Sequence, residues 1–250
     1  MPKFSEHTRE WDTLLRNCAA RLERGARFAR GRQVQAGDLV QLLEAVIEPG
    51  DRLCIEGNNQ KQADFLSRSL LKTDPSRVRE LHLLQSVLAL PEHIDIIEQG
   101  QVSRIDFSFS GPQAGRLAAL VEQRRIAIGA IHTYLELFSR YFIDLTPRVA
   151  LIAAQAADRE GNLYTGPNTQ DTPAIVEATA FKSGIVIAQV NEVVDKLPRV
   201  DIPADWVNYF VEAPTPHYIE PLFTRDPAHI TEIQILMAMI AIKGLYSEYG

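Results

Sequence analysis

Two apolar, β-branched stretches constrain the fold of this chain more than any other feature of its sequence. They begin at Val149 and at Gly184, and each ends in polar residues. This pattern is typical of a strand that is buried on both faces of a sheet and followed by a loop. The segment between them, Thr172–Lys182, predicts a helix, so the two strands should be parallel and joined by a right-handed crossover. Ligands bind beyond the carboxyl ends of such strands, which is where Asp158–Gln170 falls.

The same alternation of short apolar runs and amphipathic segments extends over most of the chain. It predicts a doubly wound α/β domain with a mostly parallel sheet flanked by helices. An amphipathic N-terminal helix precedes that domain, and an apolar C-terminal helix follows it. The other predicted strands are Arg52–Glu56, Arg79–Leu84, Arg104–Phe109 and Ile126–Ile131, and the other predicted helices are Ser5–Arg27, Asp38–Ile47, Gln60–Leu71, Glu92–Gln99, Pro112–Arg124, Tyr134–Phe142 and Ala228–Tyr246.

Proline content and apolar pattern divide the chain into three parts. Residues 1–35 form an N-terminal helical segment, and residues 36–200 form the α/β domain. Residues 201–250 contain five prolines before the last helix, which predicts a crossing segment that leads into that helix. Apolar residues cover nearly every face of the last helix, so we expect a further part of the chain or a partner to bury it.

Composition and charge argue against several classes of function. The 250 residues carry a net charge of −6 without a block of like charges, which disfavours nucleic acid as a partner. No signal peptide is visible, and the longest apolar run, Ile235–Ile242, is too short to cross a membrane. Two cysteines, Cys18 and Cys54, favour a reducing cytoplasm. The six histidines lack the spacing of metal ligands, and dinucleotide, P-loop, zinc-protease and serine-hydrolase motifs are missing.

Amide, hydroxyl and imidazole side chains follow four of the predicted strands, where a ligand would lie. Neutral amides, together with the N–H groups of a helix start, suit a carboxylate or the carbonyl oxygen of a thioester. A helix cap, a tight surface turn or a hydrogen-bonded structural histidine would explain the same residues without a ligand. The candidates are Gly57, Asn58, Asn59 and Gln60 after the first strand, Ser110 and Gly111 after the third, His132 after the fourth, and Asn162, Tyr164, Gly166 and Asn168 after the strand that begins at Val149.

Two segments of the chain resemble family I coenzyme A transferases. An apolar strand containing Ala-Leu-Ile is followed by Asp158, Gly161 and an aromatic residue, and the next long strand runs through Gln-Val-Asn toward Pro198-Arg199. The resemblance covers nearly the whole chain and corresponds to the amino-terminal half of one branch. The segments similar to that branch, the malonate decarboxylase α subunits, are Gly50–Leu66, Ile105–Ile126 and Asp195–Val207.

This resemblance implies a transferase that exchanges the acyl group on a thiol carrier, so that acetyl-carrier and malonate give malonyl-carrier and acetate. The thiol would belong to a dephospho-coenzyme A-like prosthetic group on an acyl carrier protein, and decarboxylase subunits would be further partners. The chain itself would bind no cofactor directly. The family's glutamate nucleophile lies in its second half, and Glu56, Glu160 and Glu192 do not match its motif, so no catalytic residue is assigned. A non-catalytic α/β module that recruits partner subunits is the alternative.

Overall fold

The structure, a computed structural model, describes residues 12–58, 60–221, 228 and 230–249. Its helices are α1 (Asp12–Gly25), α2 (Leu39–Val46), α3 (Asp64–Leu70), α4 (Pro91–Glu98), α5 (Ala114–Glu122), α6 (Tyr134–Ile143), α7 (Thr172–Ala180) and α8 (Glu232–Tyr249). Its strands are β1 (Ala29–Arg30), β2 (Gln33–Val34), β3 (Arg52–Ile55), β4 (Leu81–Val87), β5 (Val102–Phe109), β6 (Ala127–Ile131), β7 (Val149–Ala157), β8 (Leu163–Tyr164), β9 (Ile185–Val193) and β10 (Tyr209–Glu212). Short 3-10 helices lie at Ala26–Phe28, Ala36–Asp38, Gly111–Gln113 and Ala204–Trp206.

The described strands form one sheet with the order β1-β2-β10-β9-β7-β3-β4-β5-β6. Every neighbouring pair from β2 to β6 is parallel. β1 is antiparallel to β2 at one edge, and β8 pairs antiparallel with the end of β7. The predicted doubly wound α/β fold with a mostly parallel sheet is therefore confirmed.

The central strand β7 shows why its sequence lacks polar alternation. Its side chains point alternately into two hydrophobic cores, one against α2, α3, α4 and α5 and the other against α6 and α7. Leu151 lies in the first core and Ile152 in the second, and both are fully buried. Burying one such side chain contributes roughly 1.5–3 kcal/mol. Because both faces need apolar residues, a continuous apolar run is the sequence pattern expected for this strand.

The strands that follow β3 in the chain lie on both sides of it in the sheet. β4, β5 and β6 extend the sheet on one side of β3, and the chain then returns to place β7 on the other side. Helix α3 packs on one face of the sheet and α7 on the opposite face. The carboxyl ends of β3 and β7 are therefore a topological switch point, the place where open α/β sheets bind ligands.

The N-terminal helix is present as α1, and residues 5–11 of the predicted helix lie outside the described residues. Arg21 fixes α1 to the domain by donating hydrogen bonds to both carboxylate oxygens of Asp51, at 2.6 and 3.1 Å. The sheet also crosses the predicted domain borders, because β2 and β10 pair with Phe210 opposite Gln33. The division into three parts stays a prediction.

Helix α8 begins at Glu232, later than the predicted start at Ala228. Its described side chains are exposed, apart from a partly buried Gln234. The burial of this helix by a further chain segment or a partner stays a prediction. Among the described residues, no helix combines the length and the apolar character needed to cross a membrane.

Candidate functional site

A cavity of about 490 Å³ opens at the switch point. Small-molecule sites usually have volumes of roughly 300–1,000 Å³. Two rings of α6 form an apolar wall, and the loops that follow β3 and β8 form a polar wall. The lining residues are Asn58, Gln60, Tyr134, Phe138, Gln170, Asp171 and Glu220. None of these residues is cationic, so the described cavity offers amide groups and two acidic groups to a ligand.

Asn58 lines this cavity and has an unpaired amide nitrogen. Its Oδ1 accepts hydrogen bonds from the backbone N–H groups of Gln60, at 2.7 Å, and Lys61, at 2.9 Å. These bonds fix the side chain, while its Nδ2 is buried without a hydrogen-bond partner among the described residues. An unsatisfied buried donor costs about 1–3 kcal/mol. A ligand oxygen that accepted a hydrogen bond from Nδ2 would offset that cost.

The loop that carries Asn58 differs from the sequence-based expectation. Helix α3 begins at Asp64 rather than at Gln60, because Gly57 and Gln62 pair in an antiparallel bridge before it. Asn58 is therefore not a helix cap, and the loop offers side-chain amides rather than a helix start. Gly57 packs closely against two side-chain amides, since a Cβ there would lie 2.8 Å from Gln85 Nε2 and 2.9 Å from Gln62 Oε1 and would require them to shift.

A buried polar network lies behind the polar wall, and we call it the cavity cluster: Glu56, Lys61, Ser86, Asp171 and Thr172. Each member is at most 3% exposed. Lys61 Nζ lies 3.2 Å from Glu56 Oε1, and the Thr172 hydroxyl is hydrogen-bonded to both groups. Glu56 Oε2 also accepts a hydrogen bond from the backbone N–H of Ala153 at 2.8 Å. The charge of Lys61 is therefore held by Glu56 and is not presented to the cavity.

Asp171 is the member of the cavity cluster that lines the cavity. Its Oδ2 accepts a hydrogen bond from Ser86, whose hydroxyl also lies 3.0 Å from the carbonyl oxygen of Gly57. Burial raises the pKa of Asp171 from its ordinary 3.8 to about 6, the Ser86 hydrogen bond opposes that rise, and the charge of Glu56 adds to it. Asp171 precedes α7, yet its side chain makes no capping hydrogen bond to that helix. A carboxyl group that holds its proton into the mildly acidic range thus lies at the cavity wall.

Two further predicted residues, Gln60 and Asn168, form hydrogen bonds that hold the polar wall together. Gln60 Oε1 accepts hydrogen bonds from Gln170 Nε2 at 2.9 Å and from Asn168 Nδ2 at 3.4 Å. Asn168 also donates to the carbonyl oxygen of Glu220 at 3.0 Å. These bonds join three separate chain segments into one wall. Asn59 lies outside the described residues.

His132 belongs to a second polar network near the β6 edge of the sheet, which we call the edge cluster: His82, Arg104, Asp106, His132 and Glu136. Asp106 accepts hydrogen bonds from His82 Nε2 at 2.6 Å and from His132 Nε2 at 2.8 Å. His132 is 4% exposed and is not among the lining residues of the cavity. These contacts fit the structural alternative for His132, and its role in ligand binding stays a prediction.

Ser110 and Gly111 lie at the end of β5 and are also not among the lining residues. The carbonyl oxygen of Ser110 accepts a hydrogen bond from the backbone N–H of Gln113 at 3.2 Å, which opens a 3-10 turn. A Cβ on Gly111 would lie 3.3 Å from the carbonyl oxygen of Leu88, so the loops after β4 and β5 pack closely here. A ligand role for these two residues stays a prediction.

The loop after β7 folds back as a hairpin that holds three more predicted residues. Asn162 Nδ2 donates to Asp158 Oδ2 at 2.8 Å. The ring of Tyr164 lies 5.4 Å from the guanidinium carbon of Arg199. Gly166 has a φ of +82°, a backbone conformation that favours glycine. These contacts fit the alternative of a tight turn.

Sequence analysis missed Asp171 and Lys61, as well as the apolar wall formed by Tyr134 and Phe138. A signal for the first two does exist, because Asp171 follows the loop after β7 and Lys61 follows β3, the two strands at the switch point. Tyr134 lies only two positions beyond the proposed His132. Among the described residues, no group of three or more histidine, cysteine or acidic side chains could hold a metal ion.

Comparison with known proteins adds to this geometry. A family model described as malonate decarboxylase, alpha subunit, transporter, matches residues 10–250. The acetyl-S-ACP:malonate ACP transferase of Malonomonas rubra is 53% identical over 241 residues, which cover 96% of this chain and 44% of that protein. A chain of the Pseudomonas malonate decarboxylase hetero-tetramer, solved in complex with malonate, is 55% identical with a TM-score of 0.83. The malonate decarboxylase alpha subunit of Acinetobacter baumannii is 49% identical, also with a TM-score of 0.83.

The match to both structures covers 96% of this chain and 44% of each neighbour, so the chain spans less than half the length of these relatives. An acyl-CoA transferase from Escherichia coli O157:H7, solved as a thioester complex with coenzyme A, shares the fold. Its identity is 18% and its TM-score 0.63, over 85% of this chain and 62% of that one. On the family match and the close relatives together, the chain belongs to the malonate decarboxylase α-subunit family.

Proposed function

We propose that this chain forms the acyl-binding part of a transferase that exchanges acetyl for malonyl on a thiol carrier. In that reaction acetyl-carrier and malonate give malonyl-carrier and acetate. The name of the M. rubra relative supports this function, since that protein matches 96% of the chain. The observation that carries the proposal is the cavity at the switch point, where the buried Nδ2 of Asn58 has no partner among the described residues.

The chemistry of the cavity suits an acyl thioester. Attack on a thioester develops negative charge on its carbonyl oxygen, and fixed hydrogen-bond donors stabilise that charge. Asn58 Nδ2 is such a donor, because the two backbone bonds to Oδ1 hold the amide in place. The rings of Tyr134 and Phe138 offer an apolar surface to the acyl group.

The partners follow from the same proposal. The carrier would be an acyl carrier protein with a dephospho-coenzyme A-like prosthetic group, and that group would enter the cavity as part of the substrate. The amide side chains of Gln60 and Gln170 could hydrogen-bond the amides of such an arm. The Pseudomonas relative forms a hetero-tetramer, which supports decarboxylase subunits as further partners. We also propose that malonate is the acid consumed and acetate the acid released, and that the protein is cytoplasmic.

The test is an acyl-exchange assay on two proteins, the 250-residue chain and a longer protein. The purified 250-residue chain is incubated with malonate and either acetyl-carrier or acetyl-coenzyme A, and malonyl thioester is sought by mass spectrometry. We expect no turnover from this chain by itself and clear turnover from a longer protein that also carries the family's second half. The resemblance places the glutamate nucleophile in that half, and a covalent step needs a nucleophile that amides cannot supply.

The result from either protein can contradict the proposal. If the longer protein shows no malonyl thioester with any carrier, the transferase function is wrong. If the 250-residue chain turns over without addition, its nucleophile must lie within these residues. Asp171 and Glu220 would then be the acidic groups to replace first, because both line the cavity.

A further inference from the structure

The carboxyl group of Asp171 has an unusual setting for a residue that precedes a helix. A side chain at this position normally accepts a hydrogen bond from the first turn of the helix. Asp171 makes no such bond to α7, and its Oδ2 contacts the Ser86 hydroxyl instead. Its Oδ1 has no hydrogen-bond partner among the described residues, although Asp171 is 3% exposed and lines the cavity. The helix start therefore does not explain where this carboxyl group points.

Hydrogen-bond accounting around Ser86 indicates where a proton on Asp171 would sit. The carbonyl oxygen of Gly57 already accepts a hydrogen bond from the backbone N–H of Val87 at 3.1 Å. The single hydroxyl proton of Ser86 has two acceptors within reach, Asp171 Oδ2 and the second lone pair of this carbonyl oxygen, and the proposal below uses the bond to Oδ2. With Oδ2 acting as an acceptor, a protonated Asp171 carries its own proton on Oδ1.

The same contacts connect Asp171, through Ser86, to the residue before Asn58. The Ser86 hydroxyl lies within hydrogen-bond distance of both Asp171 Oδ2 and the carbonyl oxygen of Gly57, the residue before Asn58. Asn58 and Asp171 line the same cavity, and each is 3% exposed. Asn58 Nδ2 is buried without a partner, and Asp171 Oδ1 makes no hydrogen bond to the described residues. One atom is an amide nitrogen and the other is a carboxyl oxygen.

We propose that Asp171, in its protonated form, and Asn58 together hold one oxygen of the acyl ligand, the first through O–H and the second through N–H. The ligand oxygen is the carbonyl of an acyl thioester or a carboxylate oxygen of the free acid. The inference rests on the proposed function and assigns to it a residue that responds to pH. It also accounts for an acidic side chain at a site that must accept an electron-rich oxygen.

Burial and the charge of Glu56 favour a protonated Asp171, and they outweigh the Ser86 hydrogen bond and the charge of Lys61, which lower its pKa. Glu56 faces it from the end of β3, while Lys61, the nearest cation, is paired with Glu56. Tyr134 and Tyr141 face it from α6 and Cys54 from β3, and none of these supplies a positive charge. Glu220 lies across the cavity. Burial is the main cause of the raised pKa of Asp171, about 6, and a ligand oxygen that accepts its proton would raise the pKa further.

The test measures ligand binding to the 250-residue chain by calorimetry at pH 5.5 and pH 8.0. The two probes are S-acetyl-N-acetylcysteamine, an uncharged acetyl thioester, and sodium acetate. The wild-type chain should bind at least one probe about 75-fold more weakly at pH 8.0, because a group with a pKa of about 6 is about three-quarters protonated at pH 5.5 and only about 1% protonated at pH 8.0. Asp171→Asn keeps an N–H donor that does not titrate, so its affinity should change less than about twofold over the same range.

A surface carboxylate provides the matched control. Asp95→Asn removes the same charge from a partly exposed ion pair with Arg116 and should keep the full pH dependence of the wild type. The probe that shows the dependence identifies the ligand oxygen as thioester carbonyl or carboxylate. The inference is overturned if Asp171→Asn follows the wild-type pH dependence, if the wild type shows none, or if neither probe binds the wild type. An exchange assay that fails while this pH dependence holds would instead count against the proposed function.

Discussion

Two buried aspartates of this chain are held in opposite ways. Asp106, in the edge cluster, is 1% exposed and accepts hydrogen bonds from His82 and His132. Asp171, in the cavity cluster, is 3% exposed and accepts one from a neutral hydroxyl. Burial pushes the pKa of Asp106 upward, but the hydrogen bonds from the two histidines outweigh it and leave that pKa below its ordinary value. For Asp171 burial prevails.

This difference shows that burial alone does not decide whether a carboxyl group keeps its proton. Asp171 is enclosed by more of the protein than Asp106, and the number and charge of the donors add to that difference. The edge cluster occupies both oxygens of Asp106 with protein donors, which suits a structural role. The cavity cluster leaves one oxygen of Asp171 without a described partner, which suits a ligand. The predictions below test this contrast.

The largest effect is expected from removing the cation of each cluster. Lys61→Met leaves Glu56 as a buried, unpaired charge, so the free energy of unfolding should fall by about 3–5 kcal/mol. Arg104→Met removes the cation 3.5 Å from Asp106, but Arg104 is 53% exposed and the two histidines remain, so it should cost at most about 1 kcal/mol. Urea denaturation at pH 7 measures both variants. Equal losses would show that the two clusters depend on their cations to the same degree.

The next effect concerns the unpaired donor that distinguishes the cavity. Asn58→Ala in the assembled, active protein should slow acyl exchange by about 2.7–4 kcal/mol of transition-state stabilisation. Asn162→Ala is the matched control, because Asn162 lies outside the cavity lining and pairs both its Nδ2 and its Oδ1, the latter with the backbone N–H of Ala204. That control should lower stability and leave the rate unchanged. A normal exchange rate with a lower melting temperature would mean that Asn58 only shapes its turn.

The central strands could be predicted from sequence, whereas β10, near the β1 edge of the sheet, could not. β7 and β9 are buried on both faces and therefore have apolar runs that do not depend on knowing their neighbours. β10 has only four residues and lies within the proline-rich segment, so its strand state depends on its pairing with β2 and β9. Pairing between segments so distant in sequence leaves no local pattern.

The candidate site was predictable to the extent that its residues directly follow a strand. Asn58 and Gln60 were found because they follow β3, and both line the cavity. Asp171 could not be distinguished from an ordinary helix start, because its setting is created by Ser86, which lies 85 positions away. In the same way, Lys61 resembles a surface lysine until Thr172, 111 positions away, is placed beside it. Burial of a polar residue by distant segments is a property of the fold rather than of local sequence.

A smaller effect should separate the two clusters by the sign of their pH dependence. The folded-state pKa of Asp171 is raised, so its contribution to stability is fully present below pH 3.8 and is lost as the pH rises through about 6. Asp171→Asn removes this loss. The free energy of unfolding of the variant minus that of the wild type should therefore be about 1–3 kcal/mol larger at pH 8 than at pH 4. Urea denaturation across that range measures the gain, with Asp95→Asn as the surface control. A difference from wild type that is independent of pH would contradict it.

The smallest effect should have the opposite sign and arises in the edge cluster. Burial lowers the pKa of His82 below 6.5, and Asp106 offsets only part of that shift. The folded protein therefore favours the neutral ring, and this contribution is complete above pH 6.5 and is lost as the pH falls toward the folded-state pKa. His82→Gln keeps an N–H donor for Asp106 without a titrating group. Between pH 7.5 and pH 5.5 the wild type should lose roughly 0.5–1 kcal/mol more stability than the variant. If the two lose stability in parallel, protonation of His82 does not limit the edge cluster, and its acid sensitivity must come from Asp106.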